Sequence, residues 1–240
     1  MAPGGDEFQS SVPPPPSELD PLYRVTVRRT IESHGSRALA LASWFGRGIE
    51  LLSDARWLRF AGGGARECVH QLHRIGRVYE SLTAEALEPV AHARLMERPR
   101  DQARGTDDFA VASMVLIRGW FEVLREHDRC SYLPYREAVG SMAHEVNARL
   151  VLAEQFLSER ARGANPEAMR AMVMRWAPRA EADLGPGTSP GVAYAISVGL
   201  KRRDPDELRR GFRAELSRAL RDCGVDVDLS EAPEAWPEGE

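Results

Sequence analysis

"ARWLRFAGGGARECVHQLHRIGRVYESL", residues 55–82, decides how the chain is read. Apolar residues recur at steps of three and four on both sides of Gly62, Gly63 and Gly64, the period of an amphipathic helix. Each glycine costs about 1 kcal/mol against alanine inside a helix. Three together predict a break, a bulge or a place where another group comes unusually close. A phosphate-cradling loop would need a β-strand before the glycines and Lys-Ser/Thr after them. Neither is present, so the stretch reads as an interrupted helix. Its second half carries Glu67 and His70 in the spacing Glu-x-x-His, which sets a carboxylate and an imidazole on one helix face. Bundles that hold two iron or manganese ions use that spacing on two of their helices.

The remaining chain repeats the helical period. "YRVTVRRTIESHGSRALALASWFGRGIELL" (23–52), "DDFAVASMVLIRGWFEVLREH" (107–127) and "PYREAVGSMAHEVNARLVLAEQFLSERARG" (134–163) are long apolar-periodic runs. Thr106 or Asp107 is the expected cap of the second of these, and Gly163 the stop of the third. Asn165-Pro166 opens a further helix that ends before "LGPGTSPG", a loop by composition. Asp204-Pro205 opens the last helix and Gly224 closes it, proline inside the start and glycine past the end. Strand-like alternation is absent. The expectation is an all-α bundle of six or seven helices in one domain over residues 21–228. A Pro/Gly/Ser-rich extended tail (1–20) precedes it and an acidic tail (229–240) follows.

Bulk properties narrow the function classes. A chain of 240 residues can bury a full core. Net charge is −4 with a pI of about 5.9, which leaves no electrostatic footprint for nucleic acid. Lys201 is the single lysine; every other basic residue of this class is arginine. Cys68, Cys130 and Cys223 form no CxxC pair and are odd in number, which fits a reducing compartment. No apolar run approaches the roughly 20 residues of a membrane span, and the N-terminus lacks the apolar segment of a signal peptide. A cytoplasmic location without membrane or nucleic-acid partners is expected.

A dinuclear site needs the second half of its ligand set, and the 134–163 helix does not provide it. Its central histidine is His144, and Glu145 is followed at three and four residues by Ala148 and Arg149. His73, Glu145 and Glu122 are the remaining candidates for a reduced site around Glu67 and His70.

Several segments, in order and spacing, do resemble a known family. They are "YRVTVRRTIESH" (23–34), "RECVH" (66–70), "DRCSYLPYREAVGSMAHE" (128–145), "RWAP" and "GPGTSPG" within 175–191, and "LKRRDPDELRRGFRAEL" (200–216). The chain resembles the oxygenase subunit of phenylacetyl-CoA epoxidase, a ferritin-like di-iron monooxygenase, over about residues 22–228. The resemblance implies a four-helix-bundle core with added C-terminal helices. It also places the family's six metal-ligand positions on Ala38, Glu67, His70, Ile117, Val146 and Arg149. Four of the six are apolar or cationic, so no cofactor is expected. The di-iron centre persists only if the matching is displaced by about a helical turn.

The resemblance therefore implies a non-oxygenase relative, structural or acyl-thioester-binding, in aromatic acyl-CoA or specialised metabolism. Arg149 is expected to face Glu67 as a charge substitute. His34 matches a histidine of the family's first helix, and Arg28, Arg29, Lys201 and Arg202 match basic positions that could meet the phosphates of a CoA thioester. An alternating-sign solvated face is the plain reading of "KRRDPDELRR". The rival reading makes Glu67 and His70 a metal-independent acid–base pair on an acyl thioester. A related helical subunit or a second copy of the chain is the expected partner.

Overall fold

The computed structural model describes residues 18–97, 102–185, 187 and 189–230. Among them are eight α-helices and no strand. They are α1 (Pro21–Gly48), α2 (Ala55–Thr83), α3 (Leu87–Met96), α4 (Thr106–His127), α5 (Leu133–Ala161), α6 (Pro166–Ala182), α7 (Pro190–Ser197) and α8 (Pro205–Asp222). A single 3-10 turn, Ile49–Leu51, joins α1 to the α2 hairpin. The count exceeds the expected six or seven because α3 and α7 are short. They bury only Leu87 and Ala91, and Val192 and Ala195, too few positions to print a period.

The core is a four-helix bundle of two hairpins. α1 packs along α2, α4 along α5, α2 faces α5 and α1 faces α4. A crossover carrying α3 joins the hairpins, the connection used by ferritin-like bundles. α3 lies against α1 and is tied there by Glu32. That buried carboxylate accepts from Arg28 at 2.7 Å, from the Tyr79 hydroxyl at 3.0 Å and from Arg94 of α3. α6 and α8 cover α4 from the outside, which explains why α4 is buried nearly all round while α2 keeps one wet face.

Helix ends largely follow the sequence. Asn165 and Asp204 cap α6 and α8 through their side chains at 2.9 Å, each followed by proline. Gly163 and Gly224 take positive φ past the ends of α5 and α8. The start of α4 differs: Thr106 is already helical, Gly105 occupies the cap without a side-chain bond, and the Thr106 hydroxyl donates to Leu51 O at 2.8 Å instead. The assigned tails lie mostly outside the described residues. Leu229, placed in the acidic tail, is fully buried and bonds Ser217 through its N–H.

The glycine run does not break α2. Close approach explains two of its members: Gly63 lies under the Arg149 guanidinium and Gly64 under the Phe45 ring, while Gly62 faces open space. An added Cβ at Gly64 would sit 2.8 Å from the buried Phe45 ring. Two substitutions should therefore move in opposite directions. Gly62→Ala should stabilise by up to about 1 kcal/mol through helix propensity. Gly64→Ala should lose about 1 kcal/mol or more, because overpacking of about 1–3 kcal/mol exceeds that gain. Urea unfolding of both variants checks the pair, and equal signs would refute the packing account.

Candidate functional site

Three regions carry the residues singled out by sequence: the Glu67–Arg149 contact, the exposed face of α2, and a cavity beside α1. Arg149 of α5 grips Glu67 of α2 in a fork. Nε donates to Oε2 at 3.1 Å and Nη2 to Oε1, while Nη1 donates to Phe60 O at 2.8 Å. The guanidinium also lies 5.5 Å from the Phe60 ring centroid. The expected pairing is present. Its place differs from the expected one, since Glu67 keeps 31% side-chain exposure at the edge of the α2–α5 interface.

His70 does not face the centre of the bundle. It is exposed, as is His73. The inward stripe of α2 runs through Gly64, Cys68, Gln71 and Ile75, one residue further on. One residue is about 100° of helix rotation, so the matched Glu-x-x-His points to the rim rather than the centre. Gln71 takes the inner position and accepts from Trp120 Nε1 at 3.1 Å. Ala38, Ile117 and Val146 are ordinary buried core. Glu145 pairs with Arg74 at 2.7 Å, and Glu122 turns to Arg125 and Arg203. Among the described residues no group of three or more His, Cys, Asp or Glu is placed to hold a metal ion. A di-iron centre does not fit these side chains.

The cavity brings together residues far apart in sequence. It encloses about 500 Å³ between α1, the end of α4, α7 and the loop before α8. Arg29, His34 and Lys201 line it, joined by Arg37, Glu126 and His127. Arg202 does not: its side chain reaches out to Asp128 at 3.4 Å, while its N–H and that of Arg203 bind the Glu126 carboxylate. Leu22, Val25, Val123, Val192 and Leu208 supply apolar wall.

Two imidazoles form the inner wall. The His34 and His127 rings meet edge to face with centroids 4.7 Å apart, and Trp120 packs on His34 at 5.3 Å. His127 Nδ1 lies 2.9 Å from Val123 O. A carbonyl only accepts, so Nδ1 carries the proton and Nε2 is left as an acceptor. That buried Nε2 has no hydrogen-bond partner. The Tyr135 hydroxyl bonds His34 Nδ1. Burial lowers the His127 pKa to about 4 and holds His34 well below its ordinary value, with the neighbouring imidazole, Arg37 and Lys201 adding to the shift of His34. Burial likewise pushes the Tyr135 hydroxyl well up. Both rings are neutral near pH 7.

No family model matches the chain, and no curated protein is significantly similar to it. What the site does must come from its own groups.

Lys201 is the clearest of them. Its ammonium makes no hydrogen bond or ion pair among the described residues, and burial together with the Arg37 charge lowers its pKa. Gly185, at φ +110, turns the α6–α7 loop so closely past it that a Cβ there would lie 3.2 Å from Nζ. Arg37 is engaged by Asp183 at 3.2 Å. A cationic, half-apolar cavity with neutral imidazoles suits an anion carrying an apolar body. It suits proton transfer poorly, because a base with a pKa of about 4 lies far from working pH. His127 and Arg37 were not legible as site residues: each sits in an unremarkable helical pattern, and only the crossing of α1 and α4 unites them.

Among the described residues no helix is long and apolar enough to cross a membrane.

Proposed function

We propose that the protein is a non-oxygenase, acyl-thioester-binding bundle acting in the cytoplasm, in aromatic acyl-CoA or specialised metabolism. In this reading it descends from the di-iron oxygenase subunit that its sequence resembles. The observation that carries it is the cavity holding Arg29, Arg37 and Lys201 against apolar wall. Arg29 is exposed at the mouth and Lys201 partly buried. Phosphates at the mouth would meet the two cations, and the acyl group would enter toward Val123 and His34. The Arg149–Glu67 fork and the buried apolar residues at Ala38, Ile117 and Val146 support loss of the metal.

Calorimetric titration of the full chain with phenylacetyl-CoA tests the reading. Binding should be saturable and fall at least tenfold in Lys201→Gln, since a charge-assisted bond of about 1.5–3 kcal/mol is removed. Free phenylacetate should bind this cavity much more weakly. Protein purified from iron-supplemented cells should hold well under one iron per chain. Absence of thioester binding, or two irons per chain, would overturn the proposal.

A further inference from the structure

The chain has one ε-amine, that of Lys201, and the fold both fixes and isolates it. Its main-chain N–H donates to Ala195 O at 3.1 Å, next to the buried Leu200. The following two N–H groups, of Arg202 and Arg203, bind the Glu126 carboxylate, which also accepts from Arg203 Nε at 2.8 Å. The loop before α8 is thereby pinned, and the carboxylate that lines the cavity is taken by the residues beside Lys201. Gly185 closes in from the α6–α7 loop, its carbonyl accepting from Arg209 at 2.5 Å. Only the missing Cβ there leaves Nζ its room.

Nζ makes no hydrogen bond or ion pair among the described residues. Burial removes hydration from an ammonium and supplies no bonded counter-ion in return. It lowers the pKa of Lys201, with Arg37 and Arg209 adding to the shift and Glu126 opposing it. The neutral form so favoured carries a lone pair, the usual way a lysine becomes a nucleophile toward carbonyl carbon. No cysteine is among the described residues of the lining, so the amine is the strongest nucleophile there. Val25, Val123, Val192 and Leu208 give the same space an apolar wall. An aldehyde condenses with an amine without a leaving group or a cofactor, and an apolar body suits that wall.

We propose that Lys201 is a covalent binding site for aldehydes with an apolar body, held as a reversible imine. The Nζ lone pair attacks the carbonyl carbon and gives a carbinolamine. As the C=N bond forms, that oxygen departs as water with the two hydrogens of the amine. The step consumes no oxidant or reductant, and hydrolysis reverses it. It does not rest on the thioester reading, which uses Lys201 as a cation.

The probe is 2-naphthaldehyde with sodium cyanoborohydride, which reduces an imine to a stable secondary amine. The full chain is treated at pH 7.5 and read by peptide mass mapping, with the N-terminal amine as internal reference. Between solvated groups the reference leads: about a third of α-amines are neutral at that pH, against roughly one in a thousand lysines. In the folded chain Lys201 should be labelled at least as fast as the N-terminal amine, a gain of roughly a hundredfold or more over a solvated lysine. Its rate should level off as aldehyde rises, while the N-terminal rate stays proportional. In guanidinium chloride the N-terminal amine should lead. Slower labelling of Lys201 in the folded chain, a Lys201 rate strictly proportional to aldehyde, or Lys201 still leading in guanidinium chloride would each overturn the assignment.

Discussion

Replacing Arg213 by methionine is expected to cost about 3–5 kcal/mol of unfolding free energy, the usual loss when one partner leaves a buried ion pair. Arg213 of α8 donates Nε to Glu181 Oε1 at 2.6 Å and Nη2 to Oε2 at 2.8 Å. Both side chains are under a tenth exposed. The cost comes from Glu181 of α6, whose carboxylate keeps its burial and loses the two hydrogen bonds of the Arg213 fork. Removing the carboxylate as well should reverse much of the damage, because apolar groups of similar volume often replace a buried pair without loss. Arg213→Met with Glu181→Leu should therefore be more stable than Arg213→Met alone. Urea midpoints of the two singles and the double measure this. A double variant less stable than either single would refute it.

Acid should act through the His34–His127 wall. His127 has a folded pKa of about 4 against about 6.5 in an unfolded chain. Between those values the unfolded state binds more protons, so stability falls as pH falls from 6.5 toward 4. The shift corresponds to about 3 kcal/mol lost by pH 4 and none above pH 7. His34 acts in the same direction, its charged form opposed by burial, His127, Arg37 and Lys201. The Val123 carbonyl and then Glu126 pull His127 the other way, and the Glu126 carboxylate is occupied by Arg203 at 2.8 Å. Urea unfolding at pH 7.5 and pH 5 should show a smaller acid loss in His127→Phe than in the native chain. Equal losses would show that the pair does not titrate on unfolding.

Which parts of this were legible in the sequence follows from what each signal measures. Periodicity over 23–52, 55–82, 107–127 and 134–163 reports burial along one element, and the four core helices follow it closely. α3 and α7 escaped because ten and eight residues span too few turns. The Glu67–Arg149 pairing could be anticipated because matched positions in two helices carry opposite charges. His70 could not, because a one-residue displacement of the inner stripe is invisible to motif matching. The apolar run through Phe60, Gly64, Cys68 and Gln71 already held that information. Arg29, His34 and Lys201 do share a cavity, whereas Arg202 is drawn away by Asp128. His127 gave no signal, since its role depends on a helix ninety residues earlier.

Gly63 has a bearing on how such a molecule can change. Its absent side chain is the space in which the Arg149 guanidinium lies, with Nη2 2.9 Å from where a Cβ would stand. The two positions are thus contingent on each other. An alanine at 63 makes the arginine's guanidinium shift, and a smaller residue at 149 lifts the demand for glycine. The order of substitutions matters accordingly: a lineage reaches this arrangement smoothly by admitting glycine first, and leaves it smoothly only by surrendering the arginine first. The fixed cation at the α2–α5 edge therefore depends on a glycine that carries no charge of its own.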